Sequence, residues 1–303
     1  MAGIIMGARV AAMRHHPVAA ATSDPWWVKG IVLTLGLSFV ALFLVLPTCV
    51  VFHEAFRRGF GVYQQALQDD VTRRAIFLTL TVSAIVVPLN TIFGLAAAWC
   101  VSRFQFRGKR LLVSLIELPL WVSPVIGGLI YVLLFGAQGI FGPWLQTYNI
   151  QIIFALPGIV LATLFVTFPF VARTIIPQME AQGYAEEEAA LTLGASGWRT
   201  FFLITLPKIK WSLIYGIILC NARSMGEFGA VSVVSGHIRG RTNTIPLQIE
   251  ILYNEYQFAA AFAVASLLCL LAILTLMMKT WNEWHTEKQL LLAQEAFHQE
   301  SIP

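Results

Sequence analysis

Charged side chains are scarce in this sequence. Its 303 residues carry 20 Lys/Arg and 16 Asp/Glu, 12% of the chain, against about 25% in a typical soluble domain. So few charges cannot cover a soluble globule of this length. With 57% hydrophobic residues, the apolar surplus must face lipid. Cysteine is nearly absent too: Cys49, Cys100, Cys220 and Cys269 all fall in apolar runs and form no CxxC pair. That excludes a disulfide framework and a cysteine zinc site, leaving small apolar fillers. Catalytic motifs fail one by one. His53-Glu54 opens a zinc-protease pattern, but Arg57 stands where the second His is required. Gly194-Ala195-Ser196-Gly197 has its second glycine one position too soon for a nucleophile elbow. Gly108-Lys109 lacks the upstream glycine of a phosphate-cradling loop and is followed by Arg110. The chain is therefore expected to be non-catalytic, with no metal and no cofactor of its own, and any nucleotide-driven work must reside on another chain.

What is present is long uncharged sequence. Residues 30–53, 75–102 and 256–278 contain no Lys, Arg, Asp or Glu, and 111–172 contains only Glu117. A helix crossing about 30 Å of hydrocarbon needs about 20 apolar residues. The long stretch must fold back, and the cluster Gly136-Ala137-Gln138-Gly139-Ile140-Phe141-Gly142-Pro143 is the place. The expectation is an all-α, multi-pass protein with six spans near 30–52, 75–102, 111–135, 150–172, 211–235 and 256–280. An N-terminal tail (1–29) and a C-terminal tail (283–303) flank them, and the longest loop, 173–210, separates the fourth and fifth spans. The apolar run after Trp26-Trp27 is too long for a signal-peptide core. Pro119, Pro124, Pro157 and Pro169 interrupt the third and fourth spans as packing kinks or, at Ser123-Pro124, as a gate.

The net charge of +4 raises nucleic-acid binding only in a soluble chain; here membrane topology explains it. With both termini inside, 13 Lys/Arg lie on the cytoplasmic side and six outside, as the positive-inside rule prefers. Arg103, Arg107, Lys109 and Arg110 argue most clearly for this orientation, while Arg57, Arg58, Arg73 and Arg74 argue against it.

The 173–210 loop reads as two short helices. Ala185-Glu186-Glu187-Glu188-Ala189-Ala190-Leu191-Thr192-Leu193 starts on three glutamates that complement the helix dipole and stops at Gly194. A second runs from Ser196 through Trp198, Phe201 and Phe202, and Pro207 is expected to forbid its extension. Physics alone permits an amphipathic helix lying in the headgroups or a knob presented to a soluble partner. Arg223 and Glu227, four residues apart, are expected on one helix face within the fifth span. They read as a structural ion pair, or as a translocation site where Arg223 attracts a dianion and Glu227 prevents its being trapped. Gly236-His237-Ile238-Arg239-Gly240-Arg241 reads as a solvated outer turn, or as a basic mouth where His237, Arg239 and Arg241 receive an anion or dock the protein that delivers it.

Glu188-Ala189-Ala190, three residues, Gly194, nine residues, then Ile204-Thr205-Leu206-Pro207 match the E-A-A-x3-G-x9-I-x-L-P signature of the membrane subunits of bacterial ABC importers. Over roughly residues 30–285 the chain further resembles the sulfate and thiosulfate permease group. The strings carrying this are Asn221-Ala222-Arg223-Ser224-Met225-Gly226-Glu227-Phe228-Gly229-Ala230-Val231-Ser232-Val233-Val234-Ser235-Gly236, the ending Ile238-Arg239-Gly240, and Leu118-Pro119 to Leu129. They sit nearer one of that group's two permease subunits than its sister or the molybdate permeases. The resemblance implies a type I importer permease fold in a bacterial inner membrane. It implies a second permease subunit, two ATPase subunits that bind ATP and Mg²⁺ and dock on Glu188, Ala189, Ala190, Gly194, Ile204, Leu206 and Pro207, and a periplasmic sulfate/thiosulfate-binding protein. Molybdate or tungstate is the near alternative substrate, and a secondary anion transporter the alternative class.

Overall fold

The computed structural model describes residues 25–300, with side chains to Asn282 and at Trp284; residues 1–24 and 301–303, parts of the two expected tails, lie outside the described residues. Two compact units divide at Val50. The first is most of α1 (Trp26–Phe56), a helix with one widened turn at Ala41–Val45. It is apolar all round, with Ile31, Leu35, Phe39, Phe43 and Leu46 exposed, the pattern of a helix that lies in lipid.

The second unit contains α2 (Phe60–Gln68), α3 (Asp70–Arg103), α4 (Lys109–Trp121), α5 (Pro124–Phe135), α6 (Gly142–Thr147), α7 (Leu156–Gln182), α8 (Ala185–Thr192), α9 (Gly197–Met225), α10 (Gly229–Ser235), α11 (Ile245–Asn254) and α12 (Phe258–Glu300). Its centre is α7, packed against both α3 and α9. Val171, Ile175, Met179, Ala98, Ile209 and Cys220 form one buried cluster there, and Val82, Val86, Ile159, Ala162 and Val166 belong to another. Hydrophobic burial cannot drive helices together in lipid, so close approach and polar ties do the work. A Cβ on Gly94 would lie 2.9 Å from Val171, and one on Gly216 2.4 Å from the Thr174 hydroxyl. Asn90 donates to the Thr167 hydroxyl at 2.7 Å across the α3–α7 seam.

Five helices are long and apolar enough to cross a membrane, and α4 with α5 makes a sixth only as a broken pair bent by 106°. The expected single span over 111–135 is thus corrected to two half-helices. Val122 and Ser123, both extended (ψ 135 and 131) before Pro124, make the break, because proline drives the preceding residue out of the helical region. The expected span 211–235 is shifted rather than halved: α9 (Gly197–Met225) is itself long and apolar enough to cross and ends at Met225, and α10 begins only at Gly229. Pro207, expected to stop a helix, lies inside continuous α9. The chain widens to a π turn at Phe201–Thr205, where Leu206 N–H reaches back to Phe201 O. That shift of register accommodates a ring that would clash in an ordinary turn.

Candidate functional site

The expected first helix of the 173–210 loop forms as α8, and Gly194 follows it in the left-handed region (φ 87). Gly194 N–H donates to Leu191 O and Ala195 N–H to Ala190 O, satisfying the last carbonyls. Glu188, Ala189 and Gly194 are exposed and Ala190 is half-buried. Beyond them Leu191, Leu193, Trp198, Phe202 and Leu203 expose an apolar surface, with Leu193 89% exposed. Ile204 and Leu206 are half-buried and Pro207 exposed on α9. The knob therefore shows an apolar tip beside the Glu188 carboxylate.

The other two glutamates do not merely complement a helix dipole. Arg103 Nη2 donates to Glu187 Oε1 at 2.8 Å and Nη1 to Met179 O at 3.1 Å, while Nε lies 2.8 Å from Glu187 Oε2 as an ion-pair contact without a hydrogen bond. The Thr205 hydroxyl donates to Glu187 Oε1 at 2.5 Å. Glu186 pairs with Lys208 at 2.5 Å and Glu180 with Lys109 at 3.6 Å. In sequence Arg103 reads only as part of a topology signal; nothing local points to a partner 84 residues away.

Within the bundle Arg223 Nη1 and Glu227 Oε2 are 2.8 Å apart, but not on one helix face: Glu227 lies beyond the end of α9, in the break before α10. Its side chain is 1% exposed, against 35% for Arg223. A buried carboxylate costs several kcal/mol unless its lone pairs are met. Here Glu227 Oε1 accepts the Ala230 N–H at 2.9 Å, capping α10, and Oε2 has the Arg223 charge 2.8 Å away but no hydrogen bond. On the α3 side of α9, Ser83 donates to Asn221 Oδ1 at 2.7 Å and lies 2.9 Å from the Ser224 hydroxyl. These uncharged residues carry no sequence signal beyond being polar in an apolar run.

At the opposite end from α8 the 236–241 turn is exposed apart from half-buried Gly240. His237 takes a positive φ of 52 and lies 3.9 Å from Glu250; Arg239 forms an ion pair with Glu255. Arg241 is exposed. The structure thus places the three basic residues on one turn but gives two of them acidic neighbours. Among the described residues no cluster of metal-ligating side chains occurs.

A bundle of long, nearly charge-free helices with one bent pair and one ion-paired knob between helix ends is the architecture of a multi-pass membrane transport subunit. A family model described as binding-protein-dependent transport system inner membrane component matches residues 90–284, and the chain belongs to this family. Among curated proteins it is 47% identical over 274 residues to the sulfate transport system permease protein CysW of Escherichia coli, covering 90% of this chain and 94% of that one. It is 49% identical over 259 residues to CysW of Synechocystis, covering 86% and 94%. The E. coli sulfate transport system permease protein CysT is 34% identical over 251 residues, covering 82% and 91%, so the expected preference for one permease subunit over its sister is present in these values. Among solved structures, a chain of a bacterial alginate ABC transporter in complex with its alginate pentasaccharide-bound periplasmic protein superposes with a TM-score of 0.69 at 17% identity. The match covers 88% of this chain and 95% of that one, a likeness of fold.

Proposed function

We propose that this chain is a permease subunit of an ATP-driven sulfate or thiosulfate importer in a bacterial inner membrane. The observation that carries the reading is 47–49% identity with CysW proteins over most of the chain, supported by the family match over 90–284. In this reading the chain crosses six times, the bent α4–α5 pair counting as one span, with both termini cytoplasmic. A CysT-like chain completes the translocation path. Two CysA-like ATPase subunits, which hold ATP and Mg²⁺, seat the α8 knob, and a periplasmic sulfate/thiosulfate-binding protein docks near His237, Arg239 and Arg241. No reaction is catalysed on this chain itself.

The geometry suits such work. The exposed apolar tip beyond α8 (Leu191, Leu193, Trp198) with the Glu188 carboxylate offers a groove-filling contact, and closing of the ATPases would rock the bundle about a central path. The Arg223–Glu227 pair leaves the path without net charge at that level, so a dianion is passed rather than trapped.

Purifying the assembled complex, identifying its subunits by mass spectrometry and measuring uptake into liposomes tests the reading. ATP-dependent uptake of sulfate or thiosulfate with binding protein is expected, together with a C-terminal tag cleaved by protease only from the cytoplasmic face. Preferential molybdate uptake would reassign the substrate. A chain that purifies alone and transports without ATP would overturn the assignment.

A further inference from the structure

Helix α8 joins its neighbours through two glycines in the left-handed region, Gly183 (φ 64) and Gly194 (φ 87), and a Cβ on either would meet nothing within 4 Å. Backbone of this kind lets a short helix pivot. A knob that pivots cannot convert a push on its tip into movement of the spans, so something else must fix its angle.

Two ion pairs reach α8, and burial separates them. Lys208–Glu186 has a carboxylate 64% exposed, and a pair of that kind is screened and weak. Arg103 and Glu187 are 8% and 13% exposed, and their ion pair is reinforced by one charge-assisted hydrogen bond from Nη2 to Oε1, stronger than a neutral one. This one pair gathers four helices. Arg103 is the last residue of α3, its Nη1 holds Met179 O on α7, Glu187 belongs to α8, and the Thr205 hydroxyl that donates to Glu187 sits in the π turn of α9.

We propose that Arg103 and Glu187 are positioning residues forming a transmission latch, through which displacement of α8 is passed to α3, α7 and α9. The latch rests on the coupling role proposed above for residues 185–207. Glu188 and the apolar tip seat the ATPase, whereas Glu187 points back into the bundle and passes the movement on. Without the latch, the ATPase still seats on α8 and hydrolyses ATP, but α8 swings on its glycines and the spans stay behind.

The test uses the complete complex in liposomes with binding protein and sulfate, measuring subunit co-purification, ATP turnover and sulfate uptake together. Glu187→Gln keeps the shape of the side chain and removes the charge. ATPase should still co-purify, while the ATP hydrolysed per sulfate imported rises about tenfold, within the usual span of coupling between sites. The double variant Arg103→Glu/Glu187→Arg restores an opposed pair and should bring the ratio back part of the way, since Glu cannot donate to Met179 O. An unchanged ratio in Glu187→Gln overturns the latch. So does loss of ATPase co-purification in that variant, which would mean that the pair only holds the knob folded. A wild-type chain that retains no ATPase would instead overturn the coupling reading beneath it.

Discussion

Two arginine–glutamate pairs in this chain share a separation of 2.8 Å and differ in almost everything else. Arg223 and Glu227 are four residues apart, so the pair can form wherever the rest of the fold goes. It solves a local problem, neutralising a carboxylate that also caps α10. Arg103 and Glu187 come from different helices, and their pair exists only when α3, α7, α8 and α9 are all in place. A local pair makes a break in a span tolerable, whereas a long-range pair fastens one moving part to another. Substitutions should separate these two uses.

The largest effect is expected at the local pair. Arg223→Met leaves the Glu227 carboxylate buried without its counter-charge, which costs about 3–5 kcal/mol. The purified complex should melt earlier, and the chain should accumulate poorly in membranes. Arg223→Met/Glu227→Met removes both charges and should regain most of that stability, since apolar residues often replace a buried pair without loss. If the double variant is no more stable than the single one, the pair does more than balance its own charge. The same double replacement at Arg103 and Glu187 should leave stability nearer normal and coupling lost.

Glycine gives the next contrast. Gly128 on α5 sits where a Cβ would lie 2.6 Å from Ala230 O, and Gly229 where one would lie 3.0 Å from Pro124, so the two half-helices that follow the breaks touch backbone to backbone. Gly128→Ala should cost about 1–3 kcal/mol through overpacking, read as a lower melting temperature of the complex. Gly194 has open space and a positive φ of 87. Gly194→Ala should therefore cost only about 1 kcal/mol of backbone strain, whereas Gly194→Arg puts bulk on the docking tip and should release the ATPase without unfolding the spans. Equal losses at both positions would show that the knob and the half-helices are not mechanically separate.

These contrasts also mark how far the sequence could be read. The long apolar helices were legible because lack of charge along 20 residues is a local property of the chain. Helix α8 was legible for the same reason: three glutamates at its start and Gly194 after its end act within a few residues. The break at Val122–Ser123 was half-legible through Pro124. The break at Gly226–Phe228 was hidden, since the Arg223-to-Glu227 spacing fits a helix face equally well and no proline marks the site. Pro207 misled because a widened turn such as Phe201–Thr205 lets a helix carry a proline, and no residue in that turn marks it in the sequence. Arg103–Glu187 was invisible, because contact between distant residues follows only from how α3 and α7 bring their ends together.

The smallest expected effect lies at the end of the bundle away from α8. Arg239 pairs with Glu255 and Arg241 is exposed, so neither holds the fold, and exposed pairs contribute about 0–1 kcal/mol. Arg239→Gln/Arg241→Gln should leave the melting temperature and the ATP hydrolysed per sulfate unchanged. If the turn receives the binding protein or its anion, the double variant should lower uptake a few-fold at limiting binding protein. Raising the salt should shrink that difference, since exposed charges act over about 10 Å at 0.1 M ionic strength. A variant with unchanged uptake at every salt concentration would make 236–241 a solvated turn. Reception of the cargo would then fall to uncharged residues such as those lining the cleft of Gln146, Asn149 and Gln151. The chain's charges would in that case serve assembly and transmission alone.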